Sequence, residues 1–100
     1  MTAQASEFVE TLCIDAAHPS LPGHFPGRPV VPGVVLLDRV AACVQRHVAR
    51  DLHRLPAVKF LSPLLPGQVA QLQVAIDGRR ARFRIVRDDA LILSGEAELT

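Results

Sequence analysis

Apolar and polar residues follow different periods along the chain, and the change of period marks the predicted elements. Phe8 to Asp15 alternates between two largely apolar faces, which predicts a strand. Gly33 to about Arg50 is too long and too poor in turn residues for a strand, and its first three turns are apolar nearly all round. This pattern predicts a helix that is buried on all sides, with polar residues gathered where its C-terminal end emerges.

The remainder of the chain alternates like the strands of a sheet. Asp77-Gly78 lies between two alternating runs and is the strongest short hairpin signal in the sequence. One strand, one helix and four mostly antiparallel strands predict an α+β fold in which the sheet curls round the helix to cover it. The four later strands are predicted over Leu55 to Leu61, Gln68 to Ile76, Arg80 to the Asp88-Asp89 turn, and Ala90 to Leu99.

Composition indicates one compact domain and excludes two classes of partner. The 100 residues are 49% hydrophobic and 21% charged, which fits a single domain spanning residues 1–100. Eleven basic and ten acidic residues leave a formal net charge of +1, so no bulk field selects nucleic acid or an anionic membrane. The aromatic residues are all Phe and number four, which leaves no set of platforms for stacking bases.

The N-terminal sequence and the cysteines bear on location. Met1 to Glu10 has neither a basic leader nor an apolar core segment, and no apolar run in the chain is long enough to span a bilayer. We therefore expect a cytoplasmic protein. Cys13 and Cys43 lack metal-ligand spacing, so in a reducing compartment both are predicted to be small buried hydrophobic residues.

The segment from Gly23 to Asp38 has the most specific pattern in the chain. Its first eleven positions contain three glycines and three prolines, a density that excludes a regular helix and a central strand. We predict a stiff loop over Ala16 to Pro32 that delivers the chain to the helix. Two side chains of the segment can perform proton chemistry: His24 near its start and Asp38 in the second turn of the helix.

The spacing of the residues in this segment is that of a known motif, formed here by Gly23-His24-Phe25-Pro26-Gly27, Pro29-Val30, Pro32-Gly33 and Asp38. It resembles the signature of the hot-dog-fold 3-hydroxyacyl-acyl-carrier-protein dehydratases of fatty-acid synthesis. The resemblance covers about 16 of the 100 residues and implies a hot-dog fold, a curled antiparallel sheet wrapped around one long buried helix. The short chain is similar to small stand-alone members, including those of aryl-polyene and polyketide pathways.

The resemblance implies roles for four residues. In the family, the residue matching His24 is the base, and the residue matching Asp38 protonates the departing hydroxyl directly or through water. These two come from different subunits, which implies a homodimer or a higher homo-oligomer. The backbone N–H of Gly33 matches the donor to the thioester carbonyl, with Val34 as a neighbour. No metal or cofactor is implied, and the substrate arrives on the phosphopantetheine arm of acyl carrier protein.

Structural interpretations of the same residues stay open. In the simplest of them, His24 is a loop histidine bonded to nearby carbonyl groups, and Asp38 pairs with Arg39 or Arg46 at the surface. Against this, Asp38 lies on a helix with little predicted solvent face, where an unpaired carboxylate is costly to bury. The other histidines are predicted to be solvated or core residues: His18, His47 and His53.

An acidic carrier protein would meet a basic rim at the mouth of the site. Candidate contacts are Arg28 beside the loop, and Arg80 and Arg82 on a predicted strand. The alternative for the strand arginines is a solvated face, or an edge guarded against pairing.

Two positions depart from the family pattern. Members commonly have a small residue directly after the acid and a glutamine four positions beyond it, where this chain has Arg39 and Ala42. The missing glutamine removes a polar neighbour that would orient the acid. Two other functions stay open. A hot-dog acyl thioesterase would share the fold and the ligand, and Ala42 and the small size favour an inactive partner subunit of a dehydratase. An Asp in place of the commoner Glu also occurs in members that isomerise the product, but one residue does not establish isomerase activity.

Overall fold

A five-stranded antiparallel sheet and one helix form the part of the chain that the computed structural model describes, residues 5–15 and 30–100. The elements are β1 Ala5–Cys13, α1 Gly33–Val48, β2 Leu52–Phe60, β3 Val69–Asp77, β4 Arg80–Arg87 and β5 Ala90–Leu99. The strand order is β1-β3-β4-β5-β2, so the first two strands of the sequence lie at opposite edges of the sheet. This architecture confirms the predicted α+β class and the hot-dog fold.

Buried apolar residues alternate with more exposed residues along the central strands β3 and β4, so the apolar side chains share one face of the sheet. In β4, Ala81, Phe83 and Ile85 are buried, and the arginines that alternate with them are exposed. The same alternation runs along β3. The buried side chains of both strands join those of α1 in one core cluster, so the helix covers this face and the arginine side is left to solvent.

Within the stretches that the structure describes, one side of helix α1 is covered, which corrects the prediction that its first three turns are buried all round. Val34 is 63% exposed and Asp38 is exposed, because a single sheet contacts one side of a helix. The buried helix residues are Val35, Leu36, Val40, Cys43 and Val44. In the two stretches that the structure describes, no helix is both long and apolar enough to cross a membrane.

Strand β2 lies at one edge of the sheet and exposes several apolar side chains. It contains Pro56, which has no N–H to donate to a neighbouring strand and is therefore tolerated at an edge. The register with β5 shifts between Arg54 and Ala57, on either side of this proline. The exposed large apolar residues here are Leu55 (41%), Phe60 (56%) and, just beyond the strand, Leu61 (52%). An edge strand offers backbone groups to a further strand, and here apolar side chains accompany them.

The turn predictions depend on local sequence and agree well with the structure. Asp77 pairs with Arg80 across the β3–β4 hairpin, and Gly78 takes the positive φ of 63° that favours glycine. Strand β5 has its predicted bounds, whereas β2 begins at Leu52 rather than Leu55. The earlier start depends on pairing of Leu52 with Leu99, a long-range contact that local alternation does not reveal.

The two cysteines differ in exposure. Cys43 is buried, as predicted, but Cys13 is exposed, and both are free thiols. Leu12 and Ile14 are buried, so alternation turns Cys13 to the other face of the sheet. The prediction that Cys13 is buried was wrong, because the described residues cover the opposite face of this strand.

Candidate active site

The start of α1 provides two backbone donors. Pro32 precedes the helix in an extended conformation, and its carbonyl accepts from the N–H groups of Val35 at 3.0 Å and Leu36 at 3.4 Å. The N–H groups of Gly33 and Val34 have no acceptor among the described residues, and no side chain caps the helix. Together with the positive end of the helix dipole, these donors suit an oxygen that gains negative charge.

A pocket of about 520 Å³ lies beside these donors. Residues 30–33 and Leu36 form one wall, and residues 60–64 form the other. The lining is apolar apart from backbone groups and the Ser62 hydroxyl. Three backbone hydrogen bonds hold the second wall. Val31 N–H donates to the Leu64 carbonyl at 2.8 Å, and the Ile92 carbonyl accepts from Leu61 N–H at 2.9 Å and Ser62 N–H at 3.3 Å. The helix start therefore faces a preformed apolar space.

The Phe60 ring approaches Gly33 closely, so a side chain at position 33 would displace the ring. A Cβ placed on Gly33 would lie 2.5 Å from Cε1 and 2.7 Å from Cζ of the Phe60 ring. Phe60 is 56% exposed and belongs to the edge strand β2. The Phe60 ring therefore lines the pocket and lies directly over the Gly33 backbone. Phe60 was not among the predicted site residues, because no local pattern links it to Gly33, 27 positions away.

Asp38 lies on the uncovered side of the helix. Its position four residues after Val34 places both on one helix face, one turn apart, and both are exposed. The predicted cost of burying this carboxylate does not apply within a single chain, because the residue is not buried. No hydrogen bond or ion pair joins Asp38 to another residue in the described stretches, and Arg46 pairs with Glu10 instead.

Other predicted site residues fall in different places. His24 and Arg28 lie outside the described residues. Arg80 and Arg82 lie on the sheet face opposite α1, and the Arg80 Nε atom is 3.9 Å from Glu96 Oε1. The structure therefore brings together three predicted site residues in the first two turns of α1, namely Gly33, Val34 and Asp38, and does not place the two arginines beside them.

A second polar cluster, between β1 and α1, was missed by sequence analysis. Glu10 accepts hydrogen bonds from the Arg46 guanidinium and, at 2.9 Å, from Nε2 of His47. Burial raises the pKa of Glu10, but hydrogen bonds from Cys43, His47 and Arg46 together hold it below its ordinary value. Burial, then the neighbouring Glu10 carboxylate, raises the pKa of the Cys43 thiol to about 12. The i, i+4 spacing of Cys43 and His47 was the available signal, but Glu10 carries none.

Comparison with known proteins agrees with the motif and the fold. The sequence model of the ApeI-like family, described as ApeI dehydratase, matches residues 1–96. The 3-hydroxyacyl-acyl-carrier-protein dehydratase FabZ of Desulforamulus reducens is 36% identical over 84 residues, which cover 83% of this chain and 50% of that protein. The chain spans about half the length of the curated relatives it matches.

Solved structures share the fold over nearly the whole chain. An uncharacterized protein from Erwinia carotovora subsp. atroseptica superposes with a TM-score of 0.80 at 28% identity, covering 100% of this chain and 87% of that one. The dehydratase heterocomplex ApeI:P from Xenorhabdus doucetiae gives a TM-score of 0.76 at 26% identity, covering 99% and 98%. Motif, fold and a family match over residues 1–96 agree, and the chain belongs to the ApeI-like dehydratase family.

Proposed function

We propose that the protein dehydrates 3-hydroxyacyl thioesters, carried on the phosphopantetheine of acyl carrier protein, to trans-2-enoyl thioesters. Fatty-acid, aryl-polyene or polyketide synthesis in the cytoplasm is the proposed setting. The observation that carries the proposal is the helix start, where two backbone donors, an apolar pocket and Asp38 lie within two helical turns. Membership of the ApeI-like family and similarity to FabZ support the same reaction class.

The reaction needs an acid, a base and a site for negative charge. In the proposed mechanism, His24 removes the weakly acidic proton from the carbon next to the thioester carbonyl. The electrons form the new double bond as the bond between the neighbouring carbon and its hydroxyl breaks, and Asp38 delivers a proton so that water leaves. The carbonyl oxygen gains negative charge during proton removal, and the N–H groups of Gly33 and Val34 donate to it.

The proposed site is shared by two chains. Asp38 and Val34 face outward in one chain, and the apolar edge strand β2 ends at Phe60, beside the same helix start. A second copy that pairs along this edge would cover both features and supply His24 from its own loop. A homodimer is therefore proposed. The ApeI:P complex of Xenorhabdus doucetiae is a heterocomplex, and a related but different partner chain is the competing assembly.

Product analysis separates the proposed activity from its alternatives. The purified chain is incubated with a 3-hydroxyacyl thioester on acyl carrier protein, and the products are identified by mass spectrometry. An enoyl thioester is expected. Free acid would instead indicate a thioesterase, and an unchanged substrate would indicate an inactive partner subunit. Either of these two results overturns the proposed reaction.

Gly33→Ala is expected to lower kcat/KM for the hydroxyacyl thioester at least about 10-fold while changing stability by less than about 1 kcal/mol. The new Cβ would meet the Phe60 ring at 2.5 Å, and an exposed ring can swing aside without disturbing the core. The displaced ring then alters the pocket wall next to the carbonyl donor. Steady-state kinetics and urea denaturation measure the two effects.

The double variant Gly33→Ala/Phe60→Ala is the matched control for that result. Truncating the ring removes the clash, so part of the lost kcat/KM should return relative to Gly33→Ala alone. Unchanged kinetics in the single variant Gly33→Ala would contradict a role for this helix start in binding the thioester.

A further inference from the structure

Three side chains of different chemistry converge where β1 crosses the C-terminal half of α1. Cys43 and His47 are four residues apart on one helix face, and Glu10 reaches them from β1. The Cys43 sulfur, a His47 ring nitrogen and a Glu10 carboxylate oxygen all lie within 4.8 Å of one another. This cluster lies outside the proposed active site, and the proposed mechanism does not use it.

Each of the three side chains is oriented by its surroundings. Phe8 stacks on the His47 ring, with centroids 4.1 Å apart and the planes inclined by 8°. Arg46 binds Oε1 of Glu10, which leaves Oε2 directed at His47. Cys43 is fully buried, so its sulfur is confined between the helix and the strand. Carboxylates that bind metals are commonly hydrogen-bonded by a neighbour, and the Arg46 contact with Glu10 is of that kind.

We propose that Glu10, Cys43 and His47 bind one Zn²⁺ ion. Thiolate, imidazole and carboxylate are the donors that zinc takes in proteins, and a tetrahedral ion at ~2.0–2.3 Å holds them about 3.3–3.6 Å apart. The His47 Nε2 and Glu10 Oε2 atoms are 2.9 Å apart. These two side chains therefore need to move apart only slightly to reach the ligand spacing of a tetrahedral ion. The His47 side chain is 37% exposed, which leaves solvent access for a water as the fourth ligand.

Charge and protons balance in this site. Zn²⁺ displaces the proton of the Cys43 thiol, which passes to solvent, and the hydrogen of His47 moves to the other ring nitrogen. The divalent ion is then neutralised by one thiolate and one carboxylate. Arg46 stays on the outer carboxylate oxygen and stabilises its charge. The bound ion would fasten α1 to β1, and its binding free energy would add to the stability of the folded state.

Without an ion, the same three side chains form a hydrogen-bonded cluster that also links α1 to β1. The experiment must therefore detect the bound metal itself. The chelator-treated 100-residue protein is titrated with Zn²⁺ against a competing fluorescent chelator, and Co²⁺ serves as a spectroscopic probe. One ion per chain is expected, together with the absorption band of a cobalt–thiolate bond. Thermal denaturation should shift to higher temperature with added Zn²⁺, because the ion binds the folded state.

Matched variants assign the ligands. Cys43→Ser and His47→Gln are expected to weaken Zn²⁺ binding by more than about 10-fold and to abolish the thermal shift. Cys13→Ser and His53→Gln, which change an exposed cysteine and an exposed histidine elsewhere, should leave both measurements unchanged. Circular dichroism confirms that each variant is folded. Absence of stoichiometric binding to the parent protein, or equal binding by a folded Cys43→Ser variant, overturns the proposal.

Discussion

Asp38→Asn is expected to lower kcat for dehydration by about 10²- to 10⁴-fold, the contribution of a positioned proton donor. The amide keeps the size of the side chain but cannot give up a proton to the departing hydroxyl. Because Asp38 is exposed and has no hydrogen bond or ion pair with a described residue, the fold should be unaffected. Single-turnover assays with a carrier-bound 3-hydroxyacyl thioester measure the chemical step, and circular dichroism checks the fold.

Asp51→Asn is the matched control for this prediction. It makes the same chemical change at an exposed residue between α1 and β2, beyond the C-terminal end of the helix, and should leave kcat unchanged. If Asp38→Asn retains full activity, or if both variants lose activity equally, Asp38 is not the proton donor.

Mixing two inactive variants tests whether the site is shared between chains. His24→Ala and Asp38→Asn should each be inactive alone, but a mixed dimer places an intact His24 opposite an intact Asp38 in one of its two sites. In an equal mixture with random exchange, about half of the dimers are mixed, and each mixed dimer has one intact site of two. About a quarter of the parent activity should therefore return. Size-exclusion chromatography with light scattering establishes that the mixed dimers form. Mixed dimers without any restored activity would contradict the shared site.

Phe83→Ala is expected to destabilise the protein by about 3–5 kcal/mol, a large part of the stability of an ordinary domain. Phe83 is 1% exposed on the central strand β4, and its ring covers Gly95 of the neighbouring strand. A Cβ on Gly95 would lie 2.6 Å from Cζ of this ring, so the ring fills the space that a side chain there would occupy. Removing it leaves a cavity that the paired strands cannot close.

Urea denaturation at one fixed chain concentration measures this loss, since any oligomer makes stability depend on concentration. Val69→Ala provides the comparison, because Val69 is 57% exposed on β3 and should cost less than about 1 kcal/mol. A loss in Phe83→Ala no larger than that in Val69→Ala would contradict the central position of the ring in the core.

Much of the fold is determined by patterns within a few residues. The alternation of Ala81, Phe83 and Ile85 with arginines is typical of a strand, and the structure confirms the strand and buries its apolar side chains. Asp77-Gly78 predicted the hairpin because a turn depends on the backbone freedom of its own residues. The segment from Gly23 to Asp38 indicated the family for a similar reason, because the family motif is defined by the spacing of residues along the chain.

Other features depend on residues that are distant in sequence. Phe60 lies against Gly33, and Glu10 meets His47 across 37 positions, because sheet pairing and helix packing bring them together. Exposure was likewise decided by tertiary structure. The apolar first turns of α1 predicted burial on every side, but one sheet covers one side and leaves Val34 and Asp38 outward. Sequence by itself therefore determined the elements and the motif. Only the tertiary structure decided which side chains meet and which stay open, because burial depends on what packs against a residue and not on the residue alone.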